Sequence, residues 1–345
     1  MPKTLIVGLG RSGLGLHWHV IRKLQETNLG EWIRRPVLAW DIRDIGEIAR
    51  KNGLTPVASL AEARSLMDPG QAIVHLCTPP DIRLQMVREL AGLGFRRMIV
   101  EKPLALNGVA AREIESFAKA QGLQLVVVAH WLDSELTHRL IDLTDSQEMG
   151  RLRAITFVQR KPRLEMTLRS AAHLTSFDVE VPHSLGVVLR LAGAAELTEA
   201  SWTGVRIDSR VVSSMATARL MLRHPGGQST EIFSDLASPI RERRVELEFD
   251  DGRAVGYYPS SQSDSFAHLR LVRGKSEEGM VFADDSLTRF MYRVYEQFAS
   301  DQISGEEFEL NVRAAELLGE AKDLALDSGL IDDNLLVTEE TLRVH

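Results

Sequence analysis

The chain has 345 residues, room for two domains, and its 44% apolar and 26% charged residues are an ordinary balance for a folded enzyme. A formal net charge of −7 argues against a general nucleic-acid binder, and the single cysteine, Cys77, excludes an intramolecular disulfide and a cysteine-ligated zinc site. No apolar run approaches the ~20 residues of a membrane helix and the N-terminus lacks a signal-peptide pattern, so we expect a cytoplasmic protein that engages neither membrane nor nucleic acid.

Residues 4–8 read as a short buried strand, followed by an amphipathic helix carrying Leu14, Val20, Ile21 and Leu24. Residues 37–40 form a second strand stopped by Asp41, and a helix with Ile45, Ile48 and Ala49 ends at Asn52-Gly53. The alternation continues with helix Ser59–Met67, strand Ala72–Cys77, helix Ile82–Gly94, strand Arg97–Val100, helix Val109–Gly122 and strand Leu123–Ala129. That rhythm implies a mostly parallel sheet with helices on both faces. Beyond about residue 130 strand patterns dominate: Leu152–Gln159, Ala200–Ile207, Ala216–Leu222, Thr230–Asp235 and Val245–Asp250, with turn signals at Gly226-Gly227 and Asp251-Gly252. One apolar helix, Val181–Leu191, interrupts them, and two helices, Asp285–Ala299 and Glu309–Asp327, close the chain.

Gly8-Leu9-Gly10-Arg11-Ser12-Gly13 has the G-x-G-x-x-G spacing between a predicted strand and a predicted helix, the context a dinucleotide-binding turn requires. Gly8 permits the tight turn, Gly10 lets the backbone approach a pyrophosphate, and Gly13 allows close helix–strand packing. The helix N-terminus offers unpaired N–H groups to the phosphates, and Arg11 and Ser12 join the cofactor-binding candidates. Asp41 can accept hydrogen bonds from the adenosine ribose, although it lies farther from Gly8 than the usual ~20 residues. A longer helix and loop around residues 30–36 would absorb the difference. An acid there repels a 2′-phosphate and favours NAD; Arg43 could pair with that phosphate and keeps NADP open, and a plain capping role for Asp41 is the alternative. Thr78-Pro79-Pro80 ends the third strand at the carboxyl edge, where Thr78 and Pro79 face the cofactor or simply turn the chain. The fold class expected is α/β plus α+β: a Rossmann domain over residues 1–130 and an α+β domain with an open, mainly antiparallel sheet over 131–345.

Glu101-Lys102-Pro103 ends the next strand on the same edge. A lysine losing hydration in a cleft can fall in pKa toward neutrality, which suits proton exchange with a substrate hydroxyl, and the proline fixes the backbone after it, through a cis bond if one forms. A solvated surface charge is the plainer alternative. With these motifs and the helix Asp178–Gly193 containing His183, the sequence resembles the glucose–fructose oxidoreductase/inositol dehydrogenase (Gfo/Idh/MocA) family, along nearly its whole length. The closing helices match that layout too. The resemblance implies an open second-domain sheet that mediates homo-oligomer contacts. It also implies hydride exchange between a nicotinamide and a secondary alcohol or ketone of a sugar or cyclitol, with Lys102 as acid or base and Glu101 beside the cofactor.

The family's second-domain helix carries an aspartate, a histidine four residues later and an aspartate three beyond. Here His183 follows Asp178 by five, Glu180 precedes it by three, and Gly186 replaces the later aspartate. Glu180 and His183 are i,i+3 neighbours on a helix, so an acid can still orient the imidazole. The departure keeps reduction of an imine open beside carbonyl chemistry, and a non-catalytic nucleotide-binding regulator is the reading from another class. His130 and Trp131, after the last parallel strand, are candidates for substrate contact or for packing. Arg160, Arg169 and His173 would favour a substrate with a carboxylate or phosphate if they reach it, and are otherwise a solvated basic loop. No metal-ligand spacing occurs: His17 and His19 lack an acidic or thiol partner at ligand distance in sequence.

Overall fold

The computed structural model describes residues 3–27, 33, 35–169, 175–207, 210–261, 264–328 and 336–337. β1 (Thr4–Val7) leads into a π-helical turn, Gly13–Trp18, that continues as α1 (His19–Leu24). Then come β2 (Leu38–Trp40), α2 (Gly46–Lys51), β3 (Thr55–Pro56), α3 (Leu60–Leu66), β4 (Ile73–Leu76), α4 (Arg83–Gly92), β5 (Arg97–Val100), α5 (Gly108–Gln121) and β6 (Gln124–Val127). These six strands are parallel in the order β3-β2-β1-β4-β5-β6. β1 and β4 are buried along their whole length, as apolar runs in a sheet covered on both faces must be. The order reverses between them, so their carboxyl ends bound the crevice where sheets of this kind bind ligands. Helix ends follow local chemistry: Ser59 and Asn107 accept the N–H groups of Glu62 and Ala110, and Gly122, at φ 60°, closes α5.

The second half contains α6 (Glu135–Ser146), β7 (Leu152–Arg160), α7 (Leu164–Arg169), α8 (Val181–Ala192), β8 (Glu196–Trp202), β9 (Val205–Ile207), β10 (Arg210–Val212) and β11 (Thr217–Arg223). It continues through β12 (Ser229–Asp235), β13 (Glu242–Phe249), β14 (Gly252–Tyr257), β15 (Phe266–Arg273) and β16 (Ser276–Ala283). The chain ends with α9 (Ser286–Ser300), α10 (Gly305–Ser328) and β17 (Leu336–Val337). Eight strands make an open sheet, β16-β15-β14-β13-β7-β12-β11-β8, antiparallel except where β7 meets β12. α8 packs on β7 and β12, and α6 on β14 and β15. The fold class is the one expected, a Rossmann-type α/β unit and a mainly antiparallel α+β unit.

Two sequence expectations are corrected. Ala200–Ile207 is not one strand: the chain breaks at Thr203-Gly204, where any side chain on Gly204 would stand 2.9 Å from the Ser213 backbone. The closing helices do not both belong to a domain over 131–345. The first compact unit is Met1–His130 with Leu287–Glu316, and the second is Trp131–Ser286 with Leu317–His345. The apolar stripe of α9, Phe290, Met291, Val294, Tyr295 and Phe298, is buried with Ile6, Ile21, Ile73, Ile99 and Val126 of the parallel sheet and its first helix. The start of α10 is tied to α5 by Arg112, which binds Glu309 at 2.8 Å and Glu316 at 2.6 Å. Periodicity shows that a helix is amphipathic but not which sheet it covers.

Candidate cofactor and catalytic site

The glycine turn leaves β1 with Gly8 at φ 91°, a conformation that side chains disfavour. A Cβ on Gly13 would lie 2.0 Å from the Gly8 carbonyl oxygen, so that position tolerates glycine alone. The Leu9 amide donates to Asp41 Oδ2 at 2.8 Å, fastening the turn to the end of β2. Arg43 binds the same carboxylate through its amide (3.0 Å), Nε (2.9 Å) and Nη2 (2.8 Å). The Arg43 contacts hold the Asp41 carboxyl at about 2, against the opposing effect of its partial burial. Asp41 therefore binds structure on four sides, while the Arg43 side chain is 64% exposed. Arg11 is exposed and Ser12 half-buried at the mouth of the turn.

Along the same edge, Arg83 at the start of α4 is fully buried and acts as a clamp. Its Nη2 donates to the Thr78 carbonyl at 2.6 Å, and its Nη1 donates to the Glu101 carbonyl and to that of Pro103 at 3.3 Å. One guanidinium thus joins the Thr78-Pro79 turn to the Glu101-Lys102-Pro103 turn. Burial pulls its pKa down to about 10, still high enough to keep it charged at neutral pH. The Lys102–Pro103 peptide is cis. Thr78 Oγ1 is buried and lacks a hydrogen-bond partner in the protein, while Pro79 is exposed at the rim. Lys102 is half-buried, and its amide donates to Glu101 Oε2 at 3.1 Å.

Behind this edge lies a polar chain that the sequence reading missed. His17, in the π-helical turn, donates from Nε2 to Glu101 Oε1 at 2.8 Å. Its Nδ1 is 2.7 Å from Nδ1 of His75 on β4, His75 Nε2 is 2.8 Å from the Tyr295 hydroxyl on α9, and that hydroxyl is 3.2 Å from Thr4 Oγ1 on β1. Burial works against a charge on His17, but Cys77 and the Glu101 carboxylate outweigh it and push its pKa up to about 10. Burial and the neighbouring His17 charge hold His75 well below its usual value. A signal was available: a histidine inside the all-buried strand Ile73–Leu76 must find polar partners somewhere.

In the second unit Trp131 is buried, stacked on Tyr258 at 4.2 Å between ring centroids and on His183 at 5.3 Å. Of the two roles expected for it, its burial and ring stacking fit packing. Glu180 has its carboxylate bound by Lys161 and, at 3.2 Å, by Arg243 Nε, while its carbonyl accepts the His183 amide at 3.1 Å. Asp178 accepts from Thr175 and pairs with Lys322 at 2.6 Å, which makes it a buried structural acid. Arg160 pairs with Glu242 at 2.7 Å on the sheet face opposite α8, and so does not join His183; Lys161 and Arg243 stand there instead. His130 is half-buried directly after β6, Arg169 ends α7, and His173 lies outside the described residues. Among the described residues no group of three metal-ligating side chains occurs, and no helix is long and apolar enough to cross a membrane.

No protein-family model and no curated relative matches the sequence. Solved structures match its fold along nearly the whole chain. The 3-ketoreductase KijD10 from Actinomadura kijaniata, in complex with NADP and TDP-benzene, is similar with a TM-score of 0.77 at 13% identity, over 98% of this chain and 99% of that one. An NAD binding oxidoreductase from Klebsiella pneumoniae gives 0.77 at 14% identity, over 95% and 97%.

The His17 shift carries a pH signature. Its folded value, about 10, lies above the ordinary 6.5, so the stability it contributes is complete below about pH 6.5 and is lost as pH rises toward 10. Denaturant unfolding between pH 6.5 and 10 should show a steeper loss of stability in the native protein than in His17→Gln. Equal slopes would place the proton elsewhere.

Proposed function

We propose that this chain is an NAD(P)-dependent oxidoreductase that moves hydride between a nicotinamide and a secondary alcohol or ketone of a sugar, cyclitol or related small molecule. Lys102 is its proton-exchanging residue. The observation that carries the reading is the Arg83 clamp, which fixes the Lys102 turn and the Thr78 turn together on the carboxyl edge of a sheet with a glycine turn. The site fits a dinucleotide: Gly13 has no room for a side chain, and the unpartnered Thr78 Oγ1 awaits a polar group. Gly8, Gly10 and Gly13 shape the turn, and backbone N–H groups with Arg11 and Ser12 take the phosphates. The bound nicotinamide would supply or accept the hydride. Lys102 gives its Nζ proton to the carbonyl oxygen in reduction and recovers it from the hydroxyl in oxidation.

The likeness to a 3-ketoreductase bound to TDP-benzene and NADP supports a sugar-like keto substrate. Lys161 and Arg243 both bind the carboxylate of Glu180, whose carbonyl accepts the His183 amide, so His183 starts α8 on a fixed ion cluster. His183 is the second unit's candidate for orienting the substrate. Lys102→Ala should lower turnover by roughly two to four orders of magnitude, the range for lost acid–base catalysis. Near-normal turnover on an active ketone or alcohol would remove Lys102 from the mechanism.

The preference for NAD suggested by Asp41 alone is revised in favour of NADP. A carboxylate offers about four acceptor positions, and four donors from Leu9 and Arg43 already fill those of Asp41. The ribose would meet the exposed Arg43 guanidinium, which suits a 2′-phosphate. NADPH should bind about tenfold or more tightly than NADH at low salt, and Arg43→Ala should erase the difference, as read by calorimetry. Tighter NADH binding by the native protein would reverse the assignment.

The same proposal includes a homo-oligomer through the open sheet. Val158, Phe233, Tyr257, Phe266 and Val281 share its outward face, with Phe266 53% and Val281 60% exposed. Light scattering should give a multiple of the monomer mass that Val281→Glu lowers; a native monomer would refute it.

A further inference from the structure

The chain Glu101–His17–His75–Tyr295–Thr4 joins a π-helical turn, three strands and α9, and all but Glu101 of its members are wholly buried. Its hydrogen-bond arithmetic is constrained. Between the two Nδ1 atoms a single proton is shared, so one histidine donates and the other accepts. If His17 carries both protons, His75 accepts at Nδ1, donates from Nε2 to Tyr295, and Tyr295 donates to Thr4. If His17 is neutral, it must keep the Nε2 proton for Glu101, and every donor behind it reverses, from Thr4 through Tyr295 and His75 to His17. Each state satisfies the whole chain, and no mixture does.

The surroundings choose between them. Glu101 is only 7% exposed, and a buried carboxylate needs a countercharge. The charged and titratable groups facing the pair are Cys77 at the end of β4, His75 on β4, Tyr295 from α9, and, on the Glu101 side, Lys102 and Arg83. Arg83 is committed to three backbone carbonyls. His17 is in direct contact with the Glu101 carboxylate, at 2.8 Å, and the other oxygen of that carboxylate takes the Lys102 amide at 3.1 Å.

We propose that His17 is a positioning residue for Lys102: as an imidazolium it holds Glu101 ionised and oriented, and the His75–Tyr295–Thr4 chain behind it fixes the direction of its donors. This rests on the assignment of Lys102 as the proton-exchanging group. His17 touches neither reacting atom and acts through Glu101. The sequence places it one turn beyond the glycine motif, and the wider π turn, a form frequent at functional sites, brings it onto Glu101.

The state of His17 can be read without turnover. Long-range proton–nitrogen NMR of the native full-length protein at pH 7.5 should show both His17 ring nitrogens protonated and His75 neutral. Tyr295→Phe keeps the ring in its core but removes the partner of His75 Nε2 in both states, so the direction of the shared Nδ1 proton is no longer fixed from behind and the His17 titration midpoint should move from its native value. His17→Gln keeps a donor toward Glu101 but no charge. It should lower kcat about tenfold or more while the NADPH dissociation constant stays within about twofold, and Glu101→Gln added to it should cost little further, as for residues acting as one unit. A neutral His17 in the native protein, or kcat unchanged in His17→Gln while Lys102→Ala is inactive, overturns the positioning role and leaves Lys102 in place. An active Lys102→Ala overturns both.

Discussion

A negative charge is held out of water at the carboxyl end of β5, and much of the first unit is arranged around neutralising it. Glu101 cannot be ionised there alone; the cost of burying an unpaired carboxylate is several kcal/mol. Contact with His17 at 2.8 Å removes that cost but moves the problem inward, because a buried imidazole needs an acceptor for its second proton. His75 supplies it from the middle of a central strand, and Tyr295 and Thr4 satisfy His75 in turn. The requirement explains a histidine inside an otherwise apolar strand, a π turn in the first helix, and a tyrosine hydroxyl in the core stripe of α9.

The same device recurs where the sequence suggested chemistry. Asp41, Asp178 and Glu180 are all engaged by neighbours: Leu9 and Arg43, Thr175 and Lys322, Lys161 and Arg243. Acids taken singly from the sequence look like free acceptors or proton carriers. In the fold each is already bound to a cation, and at Asp41 that cation, Arg43, is the exposed member of the pair. At Asp41 the occupant is Arg43, and at Glu180 it is the pair Lys161 and Arg243.

What the sequence disclosed was what depends on local periodicity and backbone geometry. Alternating apolar runs and helices marked the parallel sheet; Gly8, Gly13 and the cis Lys102–Pro103 bond lay in short motifs with mechanical reasons of their own. The hidden part depended on contacts distant along the chain. Arg83 belongs to no motif in the sequence, yet it is fully buried and holds two turns together. Arg243 and Tyr258 reach the His183 region from β13 and the end of β14, segments whose charge and alternation say strand and nothing more. The helix Glu135–Ser146 escaped notice because its buried face is narrow, only Leu136, Thr137 and Leu140.

The discontinuity of the first unit has a consequence for biosynthesis. Its parallel sheet is encoded by residues up to about 130, but the aromatic stripe of α9 and the hydroxyl that caps the histidine pair are encoded beyond residue 286. On the ribosome the sheet must wait for these pieces on the order of ten to thirty seconds at ordinary elongation rates, while the intervening residues emerge. Throughout that interval Ile6, Ile73, Ile99 and Val126 lack their covering helix, and His75 lacks its tyrosine. The nascent parallel-sheet half is therefore the stretch most exposed to chaperone capture or to premature aggregation until residues 287–316 have emerged.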